Sequence, residues 1–262
     1  MTNFKGNIMT ICEQLQNLRL YYLASNLEHF LVQAAKSKWT HKDAISRFTE
    51  LEIIDKTNRS TQQRMKSAKI GRTKLMNEFD WAWPKEIDRA VIEELMLTNF
   101  IKDHQNIIFA GSQGAGKTMI AKNIGLSAIA NGKRVLFTTA ADMVLDLGSQ
   151  ESTAALQRRL KHYTSPDLLI IDELGYLSFD HRSADLMFDI VSKRYESGSI
   201  VITTNLAFKD WGNVFQGAAC VTALIDRLTH HCQIIKISAD SYRTKESFSA
   251  KKKGVTDEAK RK

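Results

Sequence analysis

Residues 111–118 read Gly-Ser-Gln-Gly-Ala-Gly-Lys-Thr, and no other stretch limits the fold of this chain so much. It follows the apolar run Ile107-Ile108-Phe109-Ala110 and precedes a segment of helical periodicity, so it is a strand-loop-helix unit with the pattern G-x-x-x-x-G-K-[ST]. Gly111, Gly114 and Gly116 let the backbone wrap with its N–H groups pointing inward, where they and the helix amino terminus attract phosphate oxygens. Lys117 supplies a point charge for the β and γ phosphates of a nucleotide, and the Thr118 hydroxyl is placed to ligate Mg²⁺. Ser112, Gln113 and Ala115 of the loop, with Met119 at the start of the helix, complete the expected ATP-binding set.

Such a unit needs a sheet to stand on. From residue 106 onward, short apolar runs alternate with helical patterns: NIIFAG, a helix to about residue 130, RVLFTTA, helices, DLLIIDE, a helix over ADLMFDIVSKRYES, SIVITTN, a helix over VTALIDRL, and QIIKIS. Near-continuous apolar strands separated by helices predict an α/β class with a parallel sheet covered on both faces. Residues 8 to about 70 contain neither Gly nor Pro and carry apolar residues at helical spacing, which predicts a small all-helical amino-terminal domain. The stretch 77–90, with two tryptophans and the first proline, reads as a docking linker. The expected division is therefore 1–75 helical, 76–245 P-loop domain, and a charged, apolar-poor tail at 246–262 that is expected to be disordered.

With 262 residues and 43% hydrophobic content the chain can bury a sizeable core. Its net charge of +8 favours a polyanionic partner. The stretch 57–74 holds Arg59, Arg64, Lys66, Lys69, Arg72 and Lys74 and no acidic residue, and LQRRLKHY adds Arg158, Arg159 and Lys161. Each set is either a solvated face or a path for nucleic-acid phosphates. Cys12, Cys220 and Cys232 have no metal-ligand spacing and fit isolated thiols of a reduced compartment. With no long apolar leader and no run approaching about 20 apolar residues, the expectation is a soluble cytoplasmic protein without a membrane partner.

DLLIIDE places Asp172 and Glu173 at the carboxyl end of a buried strand, the edge where α/β sheets bind ligands. Asp172 would hold Mg²⁺, directly or through water, and Glu173 would orient and deprotonate an attacking water. Asn205, after the next strand, either positions that water or senses the γ phosphate, or merely forms a turn. Arg227, in an amphipathic helix beyond the sheet, is either a salt-bridge partner of Asp226, a solvated head, or an arginine finger for a neighbouring subunit.

Taken together, these residues resemble the IstB family, AAA+ ATPase helpers of insertion-sequence transposition related to the DnaC helicase loaders. The resemblance runs through Phe79, Asp80, Trp81, Pro84, Ile87, Asp88 and Ile92, then NIIFAGSQGAGKTMIA, LLIIDELGYL, ITTNLAFKDWGNVF, ALIDRLTHH and DSYR. It implies that Asn205 is a sensor, that Arg227 is a trans-acting finger, and that Arg243 lies near the nucleotide or a subunit interface. It also implies higher oligomers that assemble with ATP on double-stranded DNA and recruit or stimulate a separate, integrase-type transposase. Gln113 and Met119 are unusual for the family, and ADSYR lacks its usual glycine. A replicative helicase loader, and a nucleotide-binding protein without turnover, are the competing readings.

Overall fold

In the computed structural model, which describes residues 10–176, 179–215, 219–240 and 242, chain contacts divide the molecule into two units, Met1–Gln63 and Arg64–Lys262. The first unit holds α1 (Ile11–Asn17), α2 (Tyr21–Lys36) and most of α3 (His41–Ala68). Thr10 and Glu13 cap α1 reciprocally, with Glu13 N–H donated to Thr10 Oγ1 at 3.3 Å and Thr10 N–H to Glu13 Oε2 at 2.7 Å. Phe30 packs edge-on against Trp39 and Phe48, and buried Glu52 accepts the Leu23 N–H at 3.1 Å. The apolar periodicity reads as one helical stretch, yet the chain turns at Arg19 (φ 60°) and Lys38 (φ 50°), and α3 ends at Lys69 (φ 56°). These left-handed helix ends usually carry glycine. Here three basic residues take the position, so composition carries no stop signal.

The unit boundary falls earlier than residue 75, because Ala68 and Ile70 are buried in the core of the second unit and Ile70 Cδ1 lies only 3.0 Å from where a side chain on Gly125 would begin. The second unit continues with α4 (Arg89–Met96), β1 (Asn106–Gly111), α5 (Lys117–Ala130), β2 (Val135–Thr139), α6 (Ala140–Gly148), α7 (Thr153–Thr164), β3 (Leu168–Leu174), α8 (His181–Arg194), β4 (Ser199–Thr204), α9 (Trp211–Val214), α10 (Val221–Thr229) and β5 (Cys232–Ile237). The strands form one parallel sheet in the order β2-β3-β4-β1-β5. Alternate residues of each inner strand serve opposite cores: Ile107 and Phe109 face the layer containing α5, whereas Ile108 faces the layer containing α6, α7, α8 and α10. Burial on both faces is why the strands read as unbroken apolar runs. Among the described residues no helix is long and apolar enough to cross a membrane, and all three cysteines are free.

One buried cation ties the amino-terminal edge of the sheet. Arg194, at the end of α8, is 1% exposed. Its Nη1 donates to the carbonyls of Tyr163, Thr164 and Pro166, and its Nη2 to those of Asp167 and Ser199. Burial pushes its pKa down to about 10.

Candidate functional site

The glycines of the P-loop answer two demands. Gly114 (φ 77°) and Gly116 (φ 92°) turn the loop through left-handed backbone. Gly111 is required for another reason: a Cβ there would sit 2.0 Å from the Ile237 carbonyl oxygen of β5, so it lets two strands approach. Lys117 opens α5 and is 9% exposed. Its Nζ donates to the carbonyls of Gly111 and Ser112, each at 2.8 Å, which holds the charge over the concave side of the loop. Ser112 Oγ donates to the Ala239 carbonyl, and Gln113 Nε2 donates to the Tyr176 hydroxyl beyond β3. Ala115 is buried, and the Met119 carbonyl accepts from Asn123 in the next turn of α5.

Asp172 and Glu173 emerge beside this loop because β3 and β1 both flank β4 in a parallel sheet, so their carboxyl ends lie at one edge. Thr118 Oγ1 donates to Asp172 Oδ1 at 2.9 Å. Two neighbouring ligands of an octahedral Mg²⁺, each at ~2.1 Å, stand about 3 Å apart, so this oxygen pair fits such a cation. Among the described residues there is no cluster of three or more His, Cys, Asp or Glu side chains that could hold a metal, and the set is suited to a cation shared with phosphate and water. Asp172 is 4% exposed, whereas Glu173 is exposed. The strand is irregular between them and Leu174: its register against β4 shifts and Glu173 adopts φ 60°.

A cavity of ≈ 300 Å³ adjoins the loop. Its walls are Gly114 to Met119 on one side and, on the other, Arg72, Lys74, Phe79, Trp83, Pro84 and Tyr242. The stretch read from sequence as a linker is thus a wall of the site. Phe79 leans on the loop so closely that a Cβ at Gly116 would meet its ring at 2.7 Å. Trp83 Nε1 donates to the Asp240 carbonyl at 2.8 Å, and its ring meets Tyr242 edge-on at 5.7 Å. Sequence reasoning assigned no site role to Phe79, Trp83 or Tyr242, although the tryptophan pair and proline at 81–84 were a usable signal.

The other expected residues separate into groups. Asn205 follows β4, exposed; its Oδ1 lies 3.6 Å from the Cβ position of Gly175, just beyond Glu173. Arg227 does not pair with Asp226. Its Nη1 donates to Ser192 Oγ of α8 and its guanidinium lies 4.6 Å over the Phe188 ring. It lines a small cleft with Asn106 and Ile200, at the starts of β1 and β4, so the six residues of β1 separate it from its own P-loop. Arg243 lies outside the described residues, as does the tail at 246–262. The acid-free stretch does not leave Arg59 unneutralised: Asp55, one turn back, and Glu52 accept its charge, and it stacks on Tyr21. Lys66 and Lys69 are exposed and Arg64 half-buried at the end of α3, while Arg72 and Lys74 stand at the cavity. Arg159 is bound to Asp146 of α6; burial opposes ionisation of that aspartate, but hydrogen bonds from Tyr163 and Arg159 outweigh it and lower its pKa. Arg158 and Lys161 are exposed.

Residues 13–250 match the family model described as IstB-like ATP binding protein. The chain is 35% identical over 236 residues to the insertion sequence IS5376 protein of Geobacillus stearothermophilus, named as ATP-binding, covering 90% of this chain and 94% of that protein. It is 34% identical over 236 residues to the similarly named IS21 protein of Pseudomonas aeruginosa, covering 90% and 89%. Among solved structures, DnaI superposes with a TM-score of 0.53 at 16% identity, over 66% of this chain and 91% of that one. The replication initiator DnaA bound to AMPPCP and single-stranded DNA superposes at 0.50 and 23% identity, over 59% of this chain and 47% of that one. These two likenesses show that the parallel-sheet P-loop fold is shared.

Proposed function

The chain belongs to the family of IstB-like ATP-binding proteins of insertion sequences, and from that premise we propose that it is a Mg²⁺-dependent ATPase that acts on DNA as a helper of transposition. The observation that carries the hydrolytic reading is the 2.9 Å approach of Thr118 Oγ1 to Asp172 Oδ1, with Glu173 next along the strand. That hydrogen-bonded pair and the exposed carboxylate stand at one sheet edge beside the P-loop, which supports a metal-holding role for the pair.

In this reading the loop N–H groups and Lys117 bind the phosphates, Lys117 exchanging the Gly111 and Ser112 carbonyls for the β and γ oxygens. The aromatic wall of Phe79, Trp83 and Tyr242 receives the base. Thr118 and Asp172 would hold Mg²⁺, which would offset charge on the phosphates. Glu173 takes a proton from water as the water oxygen bonds to the γ phosphorus and the bond to the bridging oxygen breaks. Asn205, beside the same turn, orients that water, and Arg227 reaches the nucleotide of an adjacent subunit; Arg243 is assigned to the nucleotide or the interface by family resemblance. The net charge of +8 and the exposed Lys66, Lys69, Arg158 and Lys161 support assembly of oligomers on double-stranded DNA. A separate integrase-type transposase is the partner such an oligomer would recruit or stimulate, a role supported by the insertion-sequence origin of the relatives at 34–35% identity.

Replacing Glu173 with Gln tests the assignment. ATP binding should persist while turnover falls by about 10²-fold or more, the scale of a lost general base. Undiminished hydrolysis would remove Glu173 from the mechanism.

A further inference from the structure

Thr203 stands on β4, beside the two carboxylate-bearing residues of β3, and is 1% exposed. Its hydroxyl donates to Asp172 Oδ1 and accepts the Glu173 N–H at 3.0 Å. A single side chain therefore engages both residues, using its donor on one and its acceptor on the other. The bonds fall where β3 departs from its ladder. The register against β4 shifts between Ile171 and Leu174, and Glu173 takes φ 60°, a conformation a non-glycine residue keeps only when its surroundings impose it. Thr204 closes the far side of the irregularity, its hydroxyl donating to the Leu174 carbonyl at 2.7 Å.

Packing alone does not call for a hydroxyl here. Valine has nearly the same shape and the same preference for strands, and burying a hydroxyl is unfavourable unless it is hydrogen-bonded. The residues that precede Thr203 on the strand, Val201 and Ile202, are purely apolar, and the one that follows, Thr204, also commits its hydroxyl to β3. Thr118 also donates to Asp172 Oδ1, but in the ATPase reading its hydroxyl is engaged with the cation, and Thr203 is then the donor that continues to orient Asp172.

We propose that Thr203 is a positioning residue of the ATPase centre, setting the orientation of Asp172 towards the cation and holding the backbone of Glu173 so that its carboxylate meets the attacking water. The inference rests on the ATPase reading above. It assigns Thr203 neither a proton-transfer step nor a direct bond to nucleotide.

The test compares T203V and T203S with the wild type in the full-length chain, reading kcat, KM for ATP, the Mg²⁺ concentration for half-maximal rate, the melting temperature, and the affinity for a non-hydrolysable ATP analogue with and without Mg²⁺. T203V is expected to lower kcat by roughly 10–10²-fold and to raise the Mg²⁺ requirement, the scale for losing a residue that orients a ligand. Analogue affinity without Mg²⁺ and the melting temperature should stay near wild type, and T203S should restore most of the rate. Wild-type kcat and Mg²⁺ requirement in T203V would overturn the proposal, as would equal losses in T203V and T203S that track a fall in melting temperature. Should T203V fail to fold, T203A carries the same comparison. Absence of hydrolysis in the wild type would instead defeat the ATPase reading, and Thr203 would then stand or fall on whether T203V weakens the Mg²⁺-dependent gain in analogue affinity.

Discussion

The sheet has a buried cation at each end, and the two are held in opposite ways. At the carboxyl edge, Lys117 donates to two carbonyls of its own loop, Gly111 and Ser112. At the amino edge, Arg194 donates to five carbonyls, four from the Tyr163–Asp167 segment and one from Ser199. The lysine is a compact charge on a flexible stem, and in the ATPase reading its two carbonyl partners are exchanged for phosphate oxygens. The guanidinium is a rigid fork already divided between two chain segments, and moving it would take this donor from five carbonyls, of which the Asp167 carbonyl also accepts the Ser199 N–H. Burial alone therefore does not mark a functional cation. What distinguishes the two is whether the partners can be exchanged.

That contrast predicts separable consequences. Arg194→Met should cost the most, on the order of 3 kcal/mol of stability from carbonyls left without donors, seen as a fall of roughly 10 °C in the melting temperature, while surviving folded protein binds ATP as before. A stable Arg194→Met protein would mean that water replaces the clasp. Lys117→Ala should behave in the reverse sense, weakening ATP binding by about 10²-fold as its charge-assisted hydrogen bonds to phosphate disappear and leaving the melting temperature of the nucleotide-free protein nearly unchanged. An equal drop in melting temperature for both variants would erase the distinction.

Arg227 sharpens the comparison because it shares the amino edge with Arg194 yet is held by one hydroxyl and one ring. If it serves a neighbour's nucleotide, Arg227→Ala and Lys117→Ala proteins that are inactive alone should recover up to about a quarter of wild-type ATPase activity in an equal mixture, where some interfaces join an intact pocket to an intact finger. Oligomers that never complement would place Arg227 among the structural cations. The smallest effect is expected for the end of α3. Replacing Arg64, Lys66 and Lys69 with Ala should make the dependence of log DNA affinity on log salt shallower by about 0.9 for each duplex phosphate no longer neutralised, with ATP affinity retained. An unchanged slope and affinity would show that this helix end is a solvated face.

Much of the P-loop unit was legible because its information is local. Each of the five strands lies within one or two residues of its apolar run, and β1 coincides with Asn106–Gly111. The loop that follows and the acidic pair ending β3 are contiguous patterns whose chemistry depends on spacing along the chain. The helical unit was legible as a class but not in its breaks, since Arg19 and Lys38 occupy left-handed turns that composition assigns to glycine.

The α/β class, the phosphate-binding loop and the identity of the two carboxylates follow from the order of residues alone, because backbone wrapping, helical or strand periodicity and the charge of a side chain are properties of near neighbours in the chain. Other features came into being only with the folded arrangement: Arg59 and Arg159 are neutralised by Asp55, Glu52 and Asp146, Trp83 closes a cavity wall by bonding to Asp240, 157 positions away, and Thr203 serves Asp172 from 31 positions along the chain. A hydrogen bond or an ion pair depends on where two groups stand at about 3 Å from each other, and for residues on different strands that separation is fixed by sheet order and register.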